Sequence, residues 1–279
     1  MTLTMTNEEL RSYIPNVVHE VEGEALLVDK MKPWLDSAVH WLTDIIIGED
    51  YQLTEKQEGF AKKIIVAKAF AEAIPSLDLA LTPSGFAVIN GDGRAPASKE
   101  RIERLIESLR ASVDALLTPF LSMLLTYKEW RDTPMGNYWL DTFLVGLDDA
   151  QALMRGTDLL TTYRSMRESA LMFQRELEHK YLGKNLLTYL RGAIHDREAS
   201  HDARNFWFAI HRAEIRYITF HSSDQKAKCP DEHEVWHLVE PLLRELKYCS
   251  ELYEIWEPEM GEYFKVEPFK NTRKGGYFF

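Results

Sequence analysis

The chain has 279 residues, with 33 Lys plus Arg against 44 Asp plus Glu and a formal net charge of −11. That balance argues against a protein that coats nucleic acid, because phosphate binding needs a cationic face. With 45% hydrophobic and 28% charged residues and only two cysteines, Cys229 and Cys249, the chain is neither a linker nor a disulfide scaffold; its length suffices to bury roughly three-quarters of the unfolded surface.

The first residues, MTLTMTNEELRSYIPN, lack the basic and apolar parts of a signal peptide, which predicts a soluble, intracellular-type protein. Residues 6–13 read as a short helix with Glu8 and Glu9 in its first turn, ended by Pro15. Residues 16–24 are polar and extended, so 1–24 form an N-terminal arm. From 25 to 47, Met31, Trp34, Leu35, Ala38, Leu42, Ile45 and Ile46 recur at helical spacing. Gly48 is placed to end that helix in the left-handed conformation. Thr54 and Gln57 form a capping-box pattern that opens a second helix, running to about residue 74 before Pro75.

Residues 77–89, LDLALTPSGFAVI, then alternate around a Pro-Ser-Gly turn signal, and Asn90-Gly91-Asp92-Gly93 supplies a second turn. Two strands, about 78–82 and 85–90, are expected as one hairpin within 77–93. An isolated hairpin is marginal in water, and no other segment offers convincing strands. Leu79, Leu81, Phe86, Val88 and Ile89 are therefore expected to pair outside their own chain, as interface residues.

Ser98 caps a long helix with Ile102, Leu105, Ile106, Leu109, Val113, Leu116, Leu117 and Phe120 on one broad face. Its most apolar part, 116–125, is short of a membrane span and contains Pro119. Helices are expected at about 136–154, 158–182, 184–195, 201–221 and 231–256. The tail, 258–279, ends in Tyr277, Phe278 and Phe279 after two glycines. Aromatics so placed suit a docking groove, on this chain or on a neighbour. The expected fold is mainly α, with one helical unit at 25–125 and a second at 126–257.

The two units can be laid over each other. Met31, Leu42 and Gly48 fall on Met166, Leu177 and Gly183; Phe60, Ile64 and Ala67 fall on Phe206, Ile210 and Ala213; Ser98, Ile102, Leu105 and Leu109 fall on Asp231, Val235, Leu238 and Leu242. Read as a duplication, this makes the hairpin an insertion in the first of two three-helix copies. Unrelated amphipathic helices sharing a period give matches of the same kind.

Chemistry is sparsely signalled. GDGRAPAS has glycines but lacks the Gly-Lys-Ser/Thr ending of a phosphate loop, and no Gly-x-Ser-x-Gly elbow or Cys-x-x-Cys pair occurs. Glu176 and His179 have di-iron spacing, but a second such pair is missing, since His211 and Glu214 run in the opposite order. His195-Asp196 and His201-Asp202 could serve a metal-dependent hydrolase, yet they lie in a polar connection where Asp also acts as a turn residue and helix cap. His233 and His237 lie one turn apart in EHEVWH, which is not the metalloprotease pattern. Trp34, Trp41, Trp139 and Trp207 stand at helical spacing among aliphatics and are expected in the core. No catalytic, cofactor-binding or metal residue is assigned.

The segments EELRSYIPNVVHEVEGEALLVDKMKPWLDSAVHWL and LTPSGFAVINGDGRAPASKERIERLIESL resemble a family of phage and prophage proteins of gut-type Bacteroidota, encoded among virion structural genes. The resemblance runs nearly end to end and includes the terminal PFKNTRKGGYFF; its most recognisable part is Gly85-Phe86-x-Val88 followed by Ala95-Pro96-Ala97-Ser98 and a charged helix. It implies a non-enzymatic head–tail connector, or neck adaptor, assembled in the host bacterial cytoplasm. In that role the chain forms a homo-oligomeric ring, about twelve-fold by family analogy. Its partners are the portal and tail-side neck proteins, DNA passes through the channel without specific binding, and no membrane or cofactor is involved. Negative charge suits such a channel, because fixed anions repel phosphates. The alternatives are a helical interaction module of a phage or prophage and, third, the hydrolase named above.

Overall fold

In the computed structural model, the residues described are 5–14, 26–77, 79–82, 85–88, 98–153, 158–196, 198–221 and 232–265. The fold is a mainly α helical bundle. The chain divides into two compact units: unit 1 comprises 1–141 and 145–164, and unit 2 comprises 142–144 and 165–279. The division thus falls well beyond the expected boundary at 125, because the short helices after residue 125 pack on the helices before it.

In unit 1, α1 (Asn7–Tyr13) starts on a true capping box: the Thr6 hydroxyl accepts from Glu9 N–H, and the Glu9 carboxylate accepts from Thr6 N–H. Leu10 and Ile14 are buried, and Glu9 meets Lys62 of the third helix at 2.8 Å. The Lys62 hydrogen bond holds the Glu9 carboxyl below its ordinary value, and Glu9 raises Lys62 in turn. Helix α2 (Leu27–Leu42) runs on as a π-turn, Thr43–Ile47, ending at Gly48. α3 (Glu55–Leu77) passes Pro75 in its last turn, where only one ladder hydrogen bond is lost. At its start, Gln57 Oε1 accepts from Thr54 N–H at 2.8 Å, the Gln half of the expected capping box.

The strands β1 (Leu79–Thr82) and β2 (Gly85–Val88) follow, paired antiparallel with Leu79 opposite Val88 and Thr82 opposite Gly85. Next comes α4 (Lys99–Leu125), whose Ser98 has the extended cap conformation but makes no side-chain cap bond. Taken whole rather than as residues 116–125, α4 is long and apolar enough to cross a membrane by length and composition. Within unit 1 its C-terminal half is buried, with Val113, Leu117, Phe120, Leu121 and Leu124 in the core. After the short α5 (Lys128–Arg131), α6 (Pro134–Leu140) and α7 (Gly146–Leu153) replace the single helix expected at 136–154. The break at 141–145 arises because side chains take backbone N–H groups there. Asp149 accepts from Val145 N–H, and Glu214 accepts from Phe143 N–H.

Helix α8 (Leu159–Glu176) begins in unit 1, and its remainder, with the π-turn Leu177–Leu182 and Gly183, belongs to unit 2. α9 (Lys184–Ala193) and α10 (His201–His221) follow. The single helix expected at 231–256 is two, α11 (Glu232–Leu246) and α12 (Ser250–Met260); α12 continues through Pro258, where an extended tail was expected.

The two units repeat one scheme. Met31, Leu35, Ala38 and Leu42 of α2 and Met166, Ala170, Phe173 and Leu177 stand at equal spacing, and all are buried. Each first helix ends in a π-turn and then a glycine with φ 83°, ψ 157° (Gly48) or φ 75°, ψ 162° (Gly183). This is not the left-handed helical basin expected for Gly48 but a region essentially reserved for glycine. The carbonyls that such a terminus leaves without helical partners are taken by indoles. Trp130 Nε1–H donates to Ile47 O at 3.0 Å, and Trp256 Nε1–H donates to Tyr181 O at 2.8 Å. A methionine backs each glycine: a Cβ on Gly48 would lie 2.9 Å from Met135 Cβ, and one on Gly183 would lie 3.0 Å from Met260 Cγ.

The third helices repeat in another register from the one expected. Val113, Leu117, Phe120, Leu121 and Leu124 correspond to Val235, Val239, Leu242, Leu243 and Leu246, all buried, with Pro119 and Pro241 at matching places inside α4 and α11. Ile102 therefore does not correspond to Val235, and Asp231 lies outside the described residues.

Gly48→Ala and Gly183→Ala should each destabilise the unit concerned by about 1–3 kcal/mol, since neither backbone conformation suits a Cβ. Urea unfolding followed by tryptophan fluorescence checks this, and wild-type midpoints for both variants would contradict it.

Candidate assembly surface

Helix α4 changes character along its length. From Val113 onward its apolar residues enter the core, whereas Ile102, Ile106 and Leu109 are only half-buried and Leu105 is 45% exposed. The sequence presents all of them as one face. Among the described residues α11 begins at Glu232, which corresponds to Arg110, and the positions equivalent to the first three turns of α4 lie almost wholly outside them. The stripe is flanked by charges of both signs. Arg104 pairs with Glu100, and Lys99 lies 3.7 Å from Glu103, each at i,i+4 spacing and well exposed. Such pairs add little stability, but they keep the flanks hydrated while the stripe stays apolar.

Of the interface residues expected from sequence, Leu79, Leu81, Phe86 and Val88 stand on β1 and β2, and their side chains lie outside the described residues. Ile89, Tyr277, Phe278 and Phe279 lie outside them altogether. The stripe on α4 was missed as a surface. Its available signal was charge density: KERIERLIESLR carries a charge at most non-apolar positions, and the density falls sharply after Asp114.

Some of the residues weighed for chemistry have structural partners, and others are exposed. Asp196 Oδ1 accepts from Glu198 N–H in the turn after α9, and Asn205 Nδ2 meets His201 Nδ1 at 2.9 Å in the first turn of α10. Asp202 is exposed in that same turn. Glu176 pairs with Lys180 at 2.8 Å, and His179 is exposed. His237 is exposed, and the His233 side chain lies outside the described residues. Glu214 is fully buried, accepting from Phe143 N–H at 3.1 Å and from Gln174 Nε2 at 2.7 Å, while His211 Nδ1 meets Phe143 O at 2.8 Å. The Glu214–His211 pair thus grips both polar groups of one backbone residue. Phe143 itself joins the unit 2 core beside Trp207. Among the described residues, no three of His, Cys, Asp and Glu come together in a way that could hold a metal ion.

One carboxylate pair remains. Asp158 precedes α8 and accepts from Thr161 N–H at 2.9 Å; a hydrogen bond from the Thr161 side chain, and then those from backbone N–H groups, hold its pKa below the ordinary value. Burial, and then the Asp158 charge, push Asp114 of α4 the other way. A carboxyl raised in the folded state binds its proton more tightly there than in the unfolded chain. Its contribution to stability therefore falls as pH rises through the range between the two values. Asp114→Asn should raise the thermal midpoint of the protein at neutral pH, with the gain shrinking as the solution is made acid enough to protonate carboxylates. Calorimetry across that range checks it, and a neutral-pH loss of stability would contradict it.

Compared with known proteins, residues 18–138 match the model of a family of unknown function (DUF6712). The matched stretch runs from before α2 into α6 and so covers the first copy of the scheme with its strands and the first turns of α4. No curated protein and no solved structure matches the chain.

Proposed function

We propose that this chain is a non-enzymatic structural subunit that assembles with copies of itself, as a head–tail connector of a tailed phage. The observation that carries the self-assembly is the apolar stripe Ile102, Leu105, Ile106 and Leu109, left out of the core on the first three turns of α4. An aliphatic stripe at helical spacing is the element by which one helix lays against another. A second copy is the partner that charge favours. The chain carries −11 overall, but residues 99–110 hold Lys99, Arg101, Arg104 and Arg110 against Glu100, Glu103 and Glu107, so repulsion between copies is weakest there. The assignment to a virion neck is supported by the resemblance to phage and prophage structural proteins.

Leu105→Glu places a charge on the stripe at an already exposed position. Helix content by circular dichroism should stay unchanged, while self-association measured by sedimentation should weaken by about tenfold or more. A wild-type chain that sediments as a monomer at every concentration and is absent from purified particles would contradict the proposal. Association unaffected by Leu105→Glu would remove the stripe from it.

A further inference from the structure

The segment Met135-Gly136-Asn137-Tyr138-Trp139 recurs as Met260-Gly261-Glu262-Tyr263-Phe264. In unit 1 this end face is covered. Trp139 is 3% exposed and stacks on Tyr163 at 4.3 Å, and Leu159 and Tyr163, from the first turns of α8, are each 1% exposed. A cleft of about 360 Å³, walled by Ile45, Met135, Tyr138 and Leu160, marks the seam. In unit 2 the equivalent face is open: Tyr263 is 80% exposed, and Phe264 is half-buried against Trp256 with ring centroids 5.5 Å apart. Among the described residues, no helix lies over Tyr263 as α8 lies over Tyr138 and Trp139.

We infer that the Tyr263–Phe264 face of unit 2 is the docking site for the N-terminal end of α2 of a second copy. Helices α8 and α2 open the two copies of the scheme, so the seat of the first turns of α8, which belong to unit 1, on Trp139 is the template for this contact. In the register set by Met31 and Met166, Val28 takes the place of Tyr163. The start of α2 has the apolar surface required, with Leu26 41% exposed and Leu27 and Val28 half-buried. Charge matches as well. The stretch from α12 to Phe264 carries Glu251, Glu254, Glu257, Glu259 and Glu262, whereas the first turns of α2 bring Lys30 and Lys32 against Asp29. Aromatic faces that meet aliphatic ones in this way bury large area per residue. The contact joins two different surfaces, so it propagates head to tail and closes into a ring where the rotation permits.

This inference rests on the reading of the chain as a self-assembling subunit, and the following experiment separates the two. In full-length chains carrying Cys229→Ser and Cys249→Ser, Leu26→Cys is placed in one preparation and Tyr263→Cys in another, both at exposed positions. The mixture is treated with a short bismaleimide. The mixed pair should cross-link at least about fivefold more than either variant alone, and Tyr263→Glu should weaken sedimentation-measured association by about tenfold. Oligomers that persist without preferential Leu26–Tyr263 cross-linking would overturn this contact and leave the self-assembly reading standing. A chain that is monomeric throughout, with no cross-link, would overturn both.

Discussion

Each unit depends on how its first helix stops. A π-turn followed by a glycine at φ near 80° ends the helix abruptly. The carbonyls of that last turn then face the protein interior, where an unmet acceptor is costly. An indole from the short helix after the third long helix meets one of them, Ile47 O in unit 1 and Tyr181 O in unit 2. Because Trp130 and Trp256 are 0% and 4% exposed, the same ring that caps the turn also fills the core. In unit 1 a second indole, that of Trp139, takes Ile45 O. The positions of the third helix and of the MGxY segment follow from this latch: once the tryptophan is seated, Met135 or Met260 comes to rest on the glycine.

Much of this was legible in the sequence, and the failures have physical causes. Gly48 and Gly183 could be read as helix ends because each follows an apolar period, but residue type does not distinguish the positive-φ basins. The third helix was placed eleven residues out of register because eleven residues make about three turns, so the slip leaves the apolar faces superposed. Pro119 and Pro241, visible in the chain, break that degeneracy. The break at 141–145 was not legible, because it depends on Glu214, which is distant in sequence. The stripe on α4 reads as part of one broad apolar face because a helical period reports that a face is apolar, not whether anything lies on it.

Two of the exposed apolar surfaces differ in their relation to the repeated scheme. The first three turns of α4 have no counterpart among the described residues of unit 2, and they carry an aliphatic stripe. The Tyr263–Phe264 face is part of the scaffold itself; its counterpart in unit 1 is covered, and no described helix covers this copy. In an acidic chain, both lie where oppositely charged groups can meet: mixed signs along α4, and carboxylates on α12 with lysines at the start of α2. A head-to-tail contact through the Tyr263–Phe264 face would by itself give each subunit two neighbours and close a ring where the rotation permits.

The central claim is that the folded chain is a building block whose copies join through unlike surfaces. Electron-microscopy class averages of the purified full-length protein, taken alone and from particles that contain it, test this most directly. The account predicts closed rings with a single subunit repeated around the axis. A uniform population of isolated subunits in the first sample, with no ring of this chain in the second, would contradict it.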